Sequence, residues 1–553
     1  MSEHNNDEQK TKKEPDSLND GGSKTNPTPH SEVHLNINHV EFNIFFDGTW
    51  NSKKNSDHYN NAANREKADF KDAKKQKKFY NLGTSFARAP TGVDQMHRAS
   101  IDNDHCIISL YVDGAGTVTW GEDHKWNKAP KKDAVVGASF GWMSTGVEAK
   151  LSQMFEQIRD KLDALHNTKQ LKFNSIMFNV YGFSRGAATA RIFCNRVIHK
   201  KIIPFNTGVD EDRIQGDITH TKWEKLDLSP YIVTLKMVGL FDTVSSIGGN
   251  HENDVEGNDQ SLDFKEGTVT GKIVHILAGH EFRQKFAITS IQTPVEKGYG
   301  FELVMPGCHT DIGDGLNSEV KYDVKNDKWG KKGEEERTVI LQKYRVFKEG
   351  DKTKLPPVFP LAALPVGYRE RQARKEVSHA NFEEIRSYLI QQDWYTDTEI
   401  KIEKNITLEK MKVERVGLNF HYPKIPTFIM LELIKKNGAY HFDEGRLDKY
   451  KIEKTDDADI QAMYADFKTQ ALALYDKNEK KYVKDTIEEG LQNSAESKMP
   501  YIDVTDAVLR KKLYNKCLHW CSSMGGWGSV IAEVNIPHMN NKTNRFYRKV
   551  VQG

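Results

Sequence analysis

The sequence lacks the features that mark several classes of protein. It has 553 residues and no uninterrupted apolar run of transmembrane length. Lysine and arginine (80 residues) nearly balance aspartate and glutamate (78 residues), so the composition gives no footprint of a nucleic-acid binder. Cysteines are few, odd in number and widely scattered. These absences are typical of a globular protein that folds in a reducing cytoplasm without needing disulfides or metals.

The five cysteines are interpreted as thiols. Those in apolar or motif-bearing stretches are Cys106, Cys194 and Cys308. A buried free thiol is the expected state there. Cys517 and Cys521 lie one helical turn apart beside His519, which leaves a zinc or redox role open. Since no second pair of ligands accompanies them, we predict neither a metal nor another cofactor.

The first 36 residues are polar and contain several glycines and prolines. They include no apolar segment of the kind found in a secretory signal. We therefore expect a disordered N-terminal tail over residues 1–36. If the substrate lies outside the cytoplasm, a carrier other than the general secretory route has to export the protein.

Strand-like and helix-like apolar patterns alternate along the first 320 residues. The predicted strands are His39–Phe46, Cys106–Val112, Ser175–Tyr181, Ile232–Phe241 and Gly300–Met305. The predicted helices are Thr145–Leu165, Gly186–Lys200 and Lys272–Ser290. Such alternation is typical of a mainly parallel sheet that helices cover on both faces. The predicted fold class is α/β.

A charged and less regular sequence follows this part of the chain. We predict a catalytic core over residues 37–320 and a largely helical inserted module over residues 321–522. A final strand, Trp527–Pro537, is predicted to return to the catalytic sheet within residues 523–553. Pro426–Ile434 is the most apolar stretch outside the predicted sheet. It is either an ordinary core helix of the second module or a lid or membrane-docking surface.

A Gly-x-Ser-x-Gly motif is formed by Gly182, Ser184 and Gly186, between a predicted strand and a predicted helix. In this motif the serine sits on a strained turn that points its Oγ out of the sheet. The flanking glycines let neighbouring backbone approach without Cβ clashes. The helix N-terminus behind the serine favours developing negative charge. Since both flanking elements are present, we predict that Ser184 is a nucleophile and not an incidental serine in a turn.

A serine hydroxyl needs a histidine to take its proton and an acid to orient that histidine. In α/β hydrolases the acid and then the histidine follow the serine along the chain, on loops after later strands. Asp242 directly follows the predicted strand Ile232–Phe241, and His309 follows the predicted strand Gly300–Met305. We therefore predict a triad of Ser184, Asp242 and His309.

Several other residues stay open as alternatives. The alternative bases, His275 and His280, lie inside a predicted helix, where a histidine is more often a packing or surface residue. The alternative acids are Asp113, Asp311 and Asp314. The run Asp311–Gly315 also suggests a cation site, but it lacks the ligand spacing of an EF-hand, so no metal is predicted there.

The oxyanion hole needs the amide of Arg185 and an amide from a loop after another strand. Gly48 and Thr49, in the turn that ends the first predicted strand, are the candidates for this second donor. Glycine after a buried strand lets backbone amides come close to the serine. The alternative is that Asp47, Gly48 and Thr49 form a plain turn.

Four motifs together resemble those of a known family. They are FFDGTWN at 45–51, YGFSRGAATAR at 181–191, GLFDTVSSIG at 239–248 and PGCHTDIGDG at 306–315. In this order they are similar to the motifs of the first family of type VI secretion lipase effectors, which are α/β-hydrolase phospholipases that bacteria inject into rivals. The resemblance covers roughly residues 38–320 and the final strand. The histidine loop of that family commonly reads HSD-(V/I)-GGG, and this chain departs from it at Thr310 and Asp314.

The resemblance implies phospholipase A activity on the glycerophospholipids of a target cell's membrane, with Ser184 as nucleophile, Asp242 as acid and His309 as base. It also implies delivery by a spike protein of the type VI secretion system into the periplasm of the target cell. A cognate immunity protein would neutralise the toxin in the producer. Two alternatives stay open, an esterase that acts on soluble esters and a non-catalytic binding module built on the same fold.

Overall fold

The structure is a computed structural model. It describes residues 38–61, 88–103, 106–117, 146–206, 223–247, 252–253, 262–264, 271–313, 315, 320–323, 328–331, 334–344, 380–405, 408–490, 499–523, 537–540 and 542–551. The predicted tail over residues 1–36 lies outside these ranges. Within them, every helix is too short or too polar to cross a lipid bilayer.

The described strands are short to medium in length. In chain order they are β1 (Val40–Phe46), β2 (Ile107–Val112), β3 (Ser175–Phe183), β4 (Ile202–Asn206), β5 (Trp223–Asp227), β6 (Ile232–Phe241), β7 (Ser246–Ile247), β8 (Glu252–Asn253), β9 (Lys272–Ala278), β10 (Ile288–Thr289), β11 (Gly300–Met305), β12 (Val320–Asp323), β13 (Lys328–Lys331), β14 (Glu334–Tyr344), β15 (Ile400–Lys404), β16 (Leu408–Leu418), β17 (Thr486–Glu488), β18 (His538–Asn540) and β19 (Arg545–Val551).

The described helices lie between and after these strands. In chain order they are α1 (Lys53–Asn60), α2 (Gly92–Ala99), α3 (Val147–Asp163), α4 (Arg185–His199), α5 (Gln292–Lys297), α6 (His309–Gly313), α7 (Phe382–Gln391), α8 (Lys424–Lys436), α9 (Glu444–Leu447), α10 (Ala458–Lys477) and α11 (Ala507–Lys512). Short π-helical turns, Ala164–Thr168 and Leu513–Cys517, extend α3 and α11, and a 3₁₀ turn spans Ile452–Lys454.

A six-stranded sheet forms the centre of the fold. Its strand order is β11-β9-β6-β3-β1-β2, and every neighbouring pair is parallel. The carboxyl ends of all six strands therefore meet at one edge, where ligand and catalytic sites of open parallel sheets are found. The predicted α/β fold with a mainly parallel sheet is confirmed.

Successive side chains of β1 point to opposite faces of this sheet, as the two-residue period of a strand requires. Phe42, Ile44 and Phe46 pack with α3 and α4 on one face. Phe45 belongs to the core on the other face, where its ring stacks on Tyr181 of β3 with centroids 5.0 Å apart. Because both faces are covered, most side chains of these strands are apolar. The buried polar side chains Glu41 and Asn43 accept hydrogen bonds from Asn179 of β3.

Helices α3 and α4 cover the first face. The side chains that α3 buries recur at helical spacing, as predicted, and are Val147, Lys150, Leu151, Met154, Phe155, Ile158 and Leu162. In α4 the fully buried Ala187, Ala188 and Ala190 bring the helix close to the sheet. The predicted helices over Thr145–Leu165 and Gly186–Lys200 are both confirmed.

Helix α8 lies against the second face. A Cβ added to Gly239 of β6 would lie 3.2 Å from the Sδ of Met430, so α8 packs directly on the sheet. Phe428 and Leu431 are 6% and 4% exposed. The stretch Pro426–Ile434 is therefore a core helix, as one of the two sequence-based alternatives has it.

Replacing Phe428 and Leu431 with serine is expected to destabilise the fold as a whole. Removing a buried apolar side chain of this size costs about 2–5 kcal/mol. We expect the Tm, measured by circular dichroism, to fall by roughly ten degrees or more. Val508→Ser is the control, since Val508 is 65% exposed. An unchanged Tm in the double variant would show that the two side chains are not core residues.

The predicted helix Lys272–Ser290 is wrong. The segment begins with the central strand β9, continues through a turn and reaches the two-residue strand β10. A short apolar run buried on both faces has no strand-like alternation, so its pattern does not distinguish a strand from a buried helix. Its β-branched residues favour the strand. The fully buried apolar side chains of β9 are Ile273, Val274, Ile276, Leu277 and Ala278.

The region that follows residue 320 contains the predicted helices and also an antiparallel sheet. In that sheet β16 lies between β14 and β15. Its strands carry many charged residues, which hides the two-residue period that would have predicted them. Since α8 covers the central sheet, this region completes the hydrophobic core of that sheet.

The predicted final strand Trp527–Pro537 lies almost entirely outside the described residues. The last described strand, β19, is parallel to β10 and antiparallel to β17 and β18 in a separate four-stranded sheet. From there Arg548 of β19 reaches Asp242 at the end of β6. This strand therefore contributes a side chain to the carboxyl edge of the central sheet without joining that sheet.

Candidate active site

Ser184 occupies the turn between β3 and α4. Its φ is 59°, in a region that L-residues rarely adopt. A Cβ on Gly182 would lie 2.5 Å from the carbonyl oxygen of Gly186, and a Cβ on Gly186 would lie 2.3 Å from the carbonyl oxygen of Asp47. Both contacts are too short for any side chain, so the two glycines of the motif are required by the close packing around this turn.

Two other predicted side chains meet at Ser184. The Nε2 of His309, the first residue of α6, lies 2.8 Å from the Oγ of Ser184. The Nδ1 of His309 lies 2.5 Å from Oδ2 of Asp242, which directly follows β6. The tautomer that satisfies both contacts carries its proton on Nδ1 and leaves Nε2 to accept the serine hydroxyl. Residues from the ends of three parallel strands thus form one chain of hydrogen bonds.

The carboxyl group of Asp242 is fully buried, and burial alone would raise its pKa. The positive charge of the buried Arg548 and the hydrogen bond from His309 outweigh that effect and hold the pKa of Asp242 well below its ordinary value. The backbone amide of Ala278 also donates to Oδ1, at 2.9 Å. Asp242 is therefore a carboxylate at neutral pH, as the partner of a catalytic histidine has to be.

The imidazole of His309 is neutral near pH 7. Burial, the largest influence, lowers the pKa of His309 below its ordinary value, and the hydrogen bond and charge of Asp242 offset this only in part. The nearby Arg283 lowers the pKa further, while Glu281 raises it. The unprotonated imidazole is the form that can take a proton from Ser184.

Two residues of the site were not predicted from the sequence. Arg548 lies 306 residues beyond Asp242, in a strand of another sheet, so no motif spacing links them. Glu281 accepts the backbone N–H of His309 at 3.2 Å and is itself held by Arg283. The sequence signal for Glu281 is its spacing of two residues from Arg283, shortly after the apolar run that ends at Ala278. A helix predicted over Lys272–Ser290 does not reveal this pair.

The two alternative bases have other partners. His275 Nε2 accepts the N–H of Thr243 at 3.1 Å, and its Nδ1 lies 3.1 Å from Oε1 of Glu302. His280 Nδ1 accepts the N–H of Gly307 at 2.9 Å. Burial lowers the pKa of both histidines. Each ring therefore supports the backbone next to Asp242 or His309 and does not contact Ser184.

Asp311, an alternative acid, ties the histidine loop to a later segment of the chain. Its Oδ2 accepts the N–H groups of Cys308 at 2.9 Å and of His519 at 3.0 Å, and its Oδ1 lies 2.6 Å from Nδ1 of His519. The carboxylate thus binds His519 and not the imidazole of His309. Asp113 lies in the turn after β2, and Asp314 lies outside the described residues.

The turn after β1 lies against the turn that carries Ser184. A Cβ on Gly48 would lie 2.4 Å from the ring of Phe183. The Gly48 N–H donates to Oδ1 of Asp47 at 2.7 Å, so this amide already has an acceptor. Among the residues predicted for the oxyanion hole, Thr49 and Arg185 are therefore the better candidates.

One disulfide lies beside the loop that carries His309. Cys308, next to His309, is bonded to Cys521, and their Cα atoms are 6.3 Å apart. The prediction of a free thiol at Cys308 is wrong, because the fold joins residues that are 213 positions apart in sequence. The free cysteines of the described chain are Cys106, Cys194 and Cys517, of which the last two are buried.

The described residues include one group with the spacing of metal ligands, formed by Glu281, Cys308 and Cys521. The two sulfur atoms are bonded to each other, and both carboxylate oxygens of Glu281 accept hydrogen bonds from Arg283. The ring of His519 is directed to Asp311. These residues therefore do not fit a resident metal ion.

Residues 199–329 match a family model described as "T6SS, Phospholipase effector Tle1-like, catalytic domain". The matched segment contains Asp242 and His309 and begins after Ser184. No curated protein sequence matches the chain.

Two solved structures are similar to this fold. One, described as the structure of the Tle1 effector bound to the VgrG spike from the type 6 secretion system, covers 94% of each chain with a TM-score of 0.52 and 18% identity. The other, an uncharacterized protein from Pseudomonas aeruginosa, covers 52% of this chain and 43% of its own, with 17% identity and a TM-score of 0.33, too low to support an argument. The resemblance predicted from the motifs is confirmed over residues 199–329, which are similar to the catalytic domain of the Tle1-like phospholipase effectors of type VI secretion.

Proposed function

We propose that this protein is a serine-dependent phospholipase of the A type, which hydrolyses the acyl esters of glycerophospholipids. The observation that carries the proposal is the unbroken chain of hydrogen bonds from Ser184 through His309 to Asp242. A non-catalytic module has no use for a strained serine, a neutral buried histidine and an ionised buried carboxylate in this order. The family match supports phospholipid as the substrate class.

In the proposed reaction Ser184 Oγ attacks the carbonyl carbon of the acyl ester while His309 Nε2 takes the hydroxyl proton. Asp242 stabilises the imidazolium that forms. The backbone amides of Arg185 and Thr49 are proposed to donate to the oxyanion of the tetrahedral intermediate. His309 then returns its proton to the departing lysophospholipid oxygen. Water, activated by the same imidazole, releases the fatty acid from Ser184.

We further propose that the enzyme acts as an antibacterial toxin on the membrane of a target cell, which it reaches in the periplasm. The similar solved structure is of an effector bound to a spike protein, which supports a spike protein as the carrier for this chain. An immunity protein in the producing cell is proposed on the family resemblance alone.

The test is incubation of the purified protein with liposomes of phosphatidylethanolamine and phosphatidylglycerol, with free fatty acid and lysophospholipid measured by mass spectrometry. We expect both products in equal amounts. Protein treated beforehand with a fluorophosphonate, which modifies an activated serine, is the control and should release neither.

Two outcomes would contradict parts of the proposal. Hydrolysis of p-nitrophenyl butyrate without release of fatty acid from liposomes would indicate an esterase for soluble substrates. Failure of the fluorophosphonate to label the folded protein, together with no hydrolysis of either substrate, would indicate a non-catalytic module.

A further inference from the structure

A buried arginine faces the carboxylate of the proposed triad. Arg548 and Asp242 are both 0% exposed, and they form two hydrogen bonds, from Nη1 to Oδ1 at 2.6 Å and from Nη2 to Oδ2 at 2.9 Å. We propose that Arg548 is a positioning residue, which holds the Asp242 carboxylate in the orientation that aligns His309 with Ser184. This inference rests on the proposed function.

Every hydrogen-bonding direction of the Asp242 carboxylate is fixed. Oδ1 accepts from Arg548 and from the amide of Ala278, and Oδ2 accepts from Arg548 and from His309. Rotation of the carboxylate would break the contact with His309 together with one half of the arginine pair. The plane of the carboxylate, and with it the direction of the imidazole, is therefore set by Arg548.

Arg548 is itself held from other elements. Its Nε donates to the carbonyl oxygen of Phe286 at 2.8 Å, and its Nη1 donates to that of Ala278 at 3.1 Å. The planar fork of a guanidinium can satisfy two carboxylate oxygens and two carbonyl oxygens at once, whereas the ammonium of a lysine is a compact charge without this geometry. The site thus requires arginine for its shape as well as for its charge.

We expect the charge of Arg548 to affect proton binding at His309 as well, because Arg548 is paired with the carboxylate that binds the imidazole. The other charged or titratable groups near this pair are Glu281, Arg283 and His275. If Arg548 is removed, the pair of Asp242 and His309 keeps its negative charge and loses the cation that is hydrogen-bonded to it. A proton then binds His309 more readily, so its pKa rises.

The test uses the full chain with Arg548→Met and Arg548→Lys. For Arg548→Met we expect a kcat on p-nitrophenyl butyrate about 100-fold lower, as misplacement of a catalytic group by about 1 Å gives. In the pH profile of kcat/KM, the acid limb should move to a pH that is higher by about one unit. Arg548→Lys keeps the positive charge but loses the planar fork of the guanidinium. For this variant we expect the acid limb of the pH profile of kcat/KM to match that of the unmodified protein, and kcat to be about tenfold lower.

Arg415→Met is the matched control, because Arg415 is also fully buried and paired with a carboxylate, that of Glu336. It should lower the Tm without moving the titration of His309. That titration is followed by NMR of ¹⁵N-histidine protein, so it reports on Arg548 even if no ester is hydrolysed. Failure of the proposed function is thereby distinguished from failure of this inference.

Two results would overturn the inference. One is a folded Arg548→Met protein in which both kcat and the titration of His309 match the unmodified protein. The other is an Arg548→Lys protein with full kcat, which would show that only the charge is needed. If Arg548→Met does not fold, the kcat of Arg548→Lys alone decides whether the inference holds.

Discussion

Replacing Ser184 with alanine is expected to lower the kcat for ester hydrolysis by about 10⁴–10⁶-fold. The change removes the only atom proposed to bond covalently to the acyl group. The residual rate would come from substrate binding and the oxyanion donors. Because the change removes a single oxygen atom, the Tm should stay within a few degrees of the unmodified protein. Release of fatty acid from liposomes and turnover of p-nitrophenyl butyrate measure the effect.

Ser175→Ala is the matched control for this experiment. Ser175 lies at the start of β3, the strand that leads to Ser184, and its hydroxyl donates only to the carbonyl oxygen of Ile232. Its replacement should leave kcat within about twofold. If Ser184→Ala kept more than a tenth of the activity, the nucleophile would have to be another residue.

The second large effect is expected at the base and the acid. His309→Ala should be as damaging as the serine variant, because members of a triad act as a unit. Asp242→Asn should lower kcat by about 10⁴-fold, because the NH₂ group of an asparagine cannot accept a hydrogen bond. If it faces His309 it selects the wrong imidazole tautomer, and if it faces the other side it meets the N–H donors of Ala278 and Arg548. Combining His309→Ala with Ser184→Ala should cost little beyond either change alone.

Asp311→Asn is the comparison that distinguishes the two acids. Asp311 binds His519 and the backbone of Cys308. Its replacement should therefore lower the Tm, while the kcat of the protein that remains folded should change little. An active Asp242→Asn protein together with an inactive, folded Asp311→Asn protein would move the acid into the histidine loop.

The parts of the site that were predictable from the sequence are those set by local structure. Ser184 is marked by a motif between a strand and a helix, and Asp242 and His309 each follow a strand that ends at the same edge of the sheet. Arg548 has no such mark. It acts through a strand that lies outside the central sheet, and only the folded chain brings it to Asp242.

The helices and strands of the fold are likewise predictable only where a local sequence pattern marks them. Helix α3 has one polar side, and helix α4 begins with a run of small residues. Both patterns are typical of a helix, so the sequence predicts both helices. The strand β9 is buried on both sides, and its uniform apolar pattern was mistaken for that of a helix. The disulfide between Cys308 and Cys521 depends on a long-range contact that cysteine spacing does not reveal.

The position of helix α8 has a consequence for how the chain is made. The strands of the central sheet, up to β11, leave the ribosome well before α8, which covers their second face. At roughly 5–20 residues per second, the delay is on the order of ten seconds. During that time α2 can already pack on Phe45, but the part of the second face around Gly239 and Tyr181 lacks α8 and can associate with other nascent chains. We therefore expect a holding chaperone to bind the half-made protein until α8 has been synthesised.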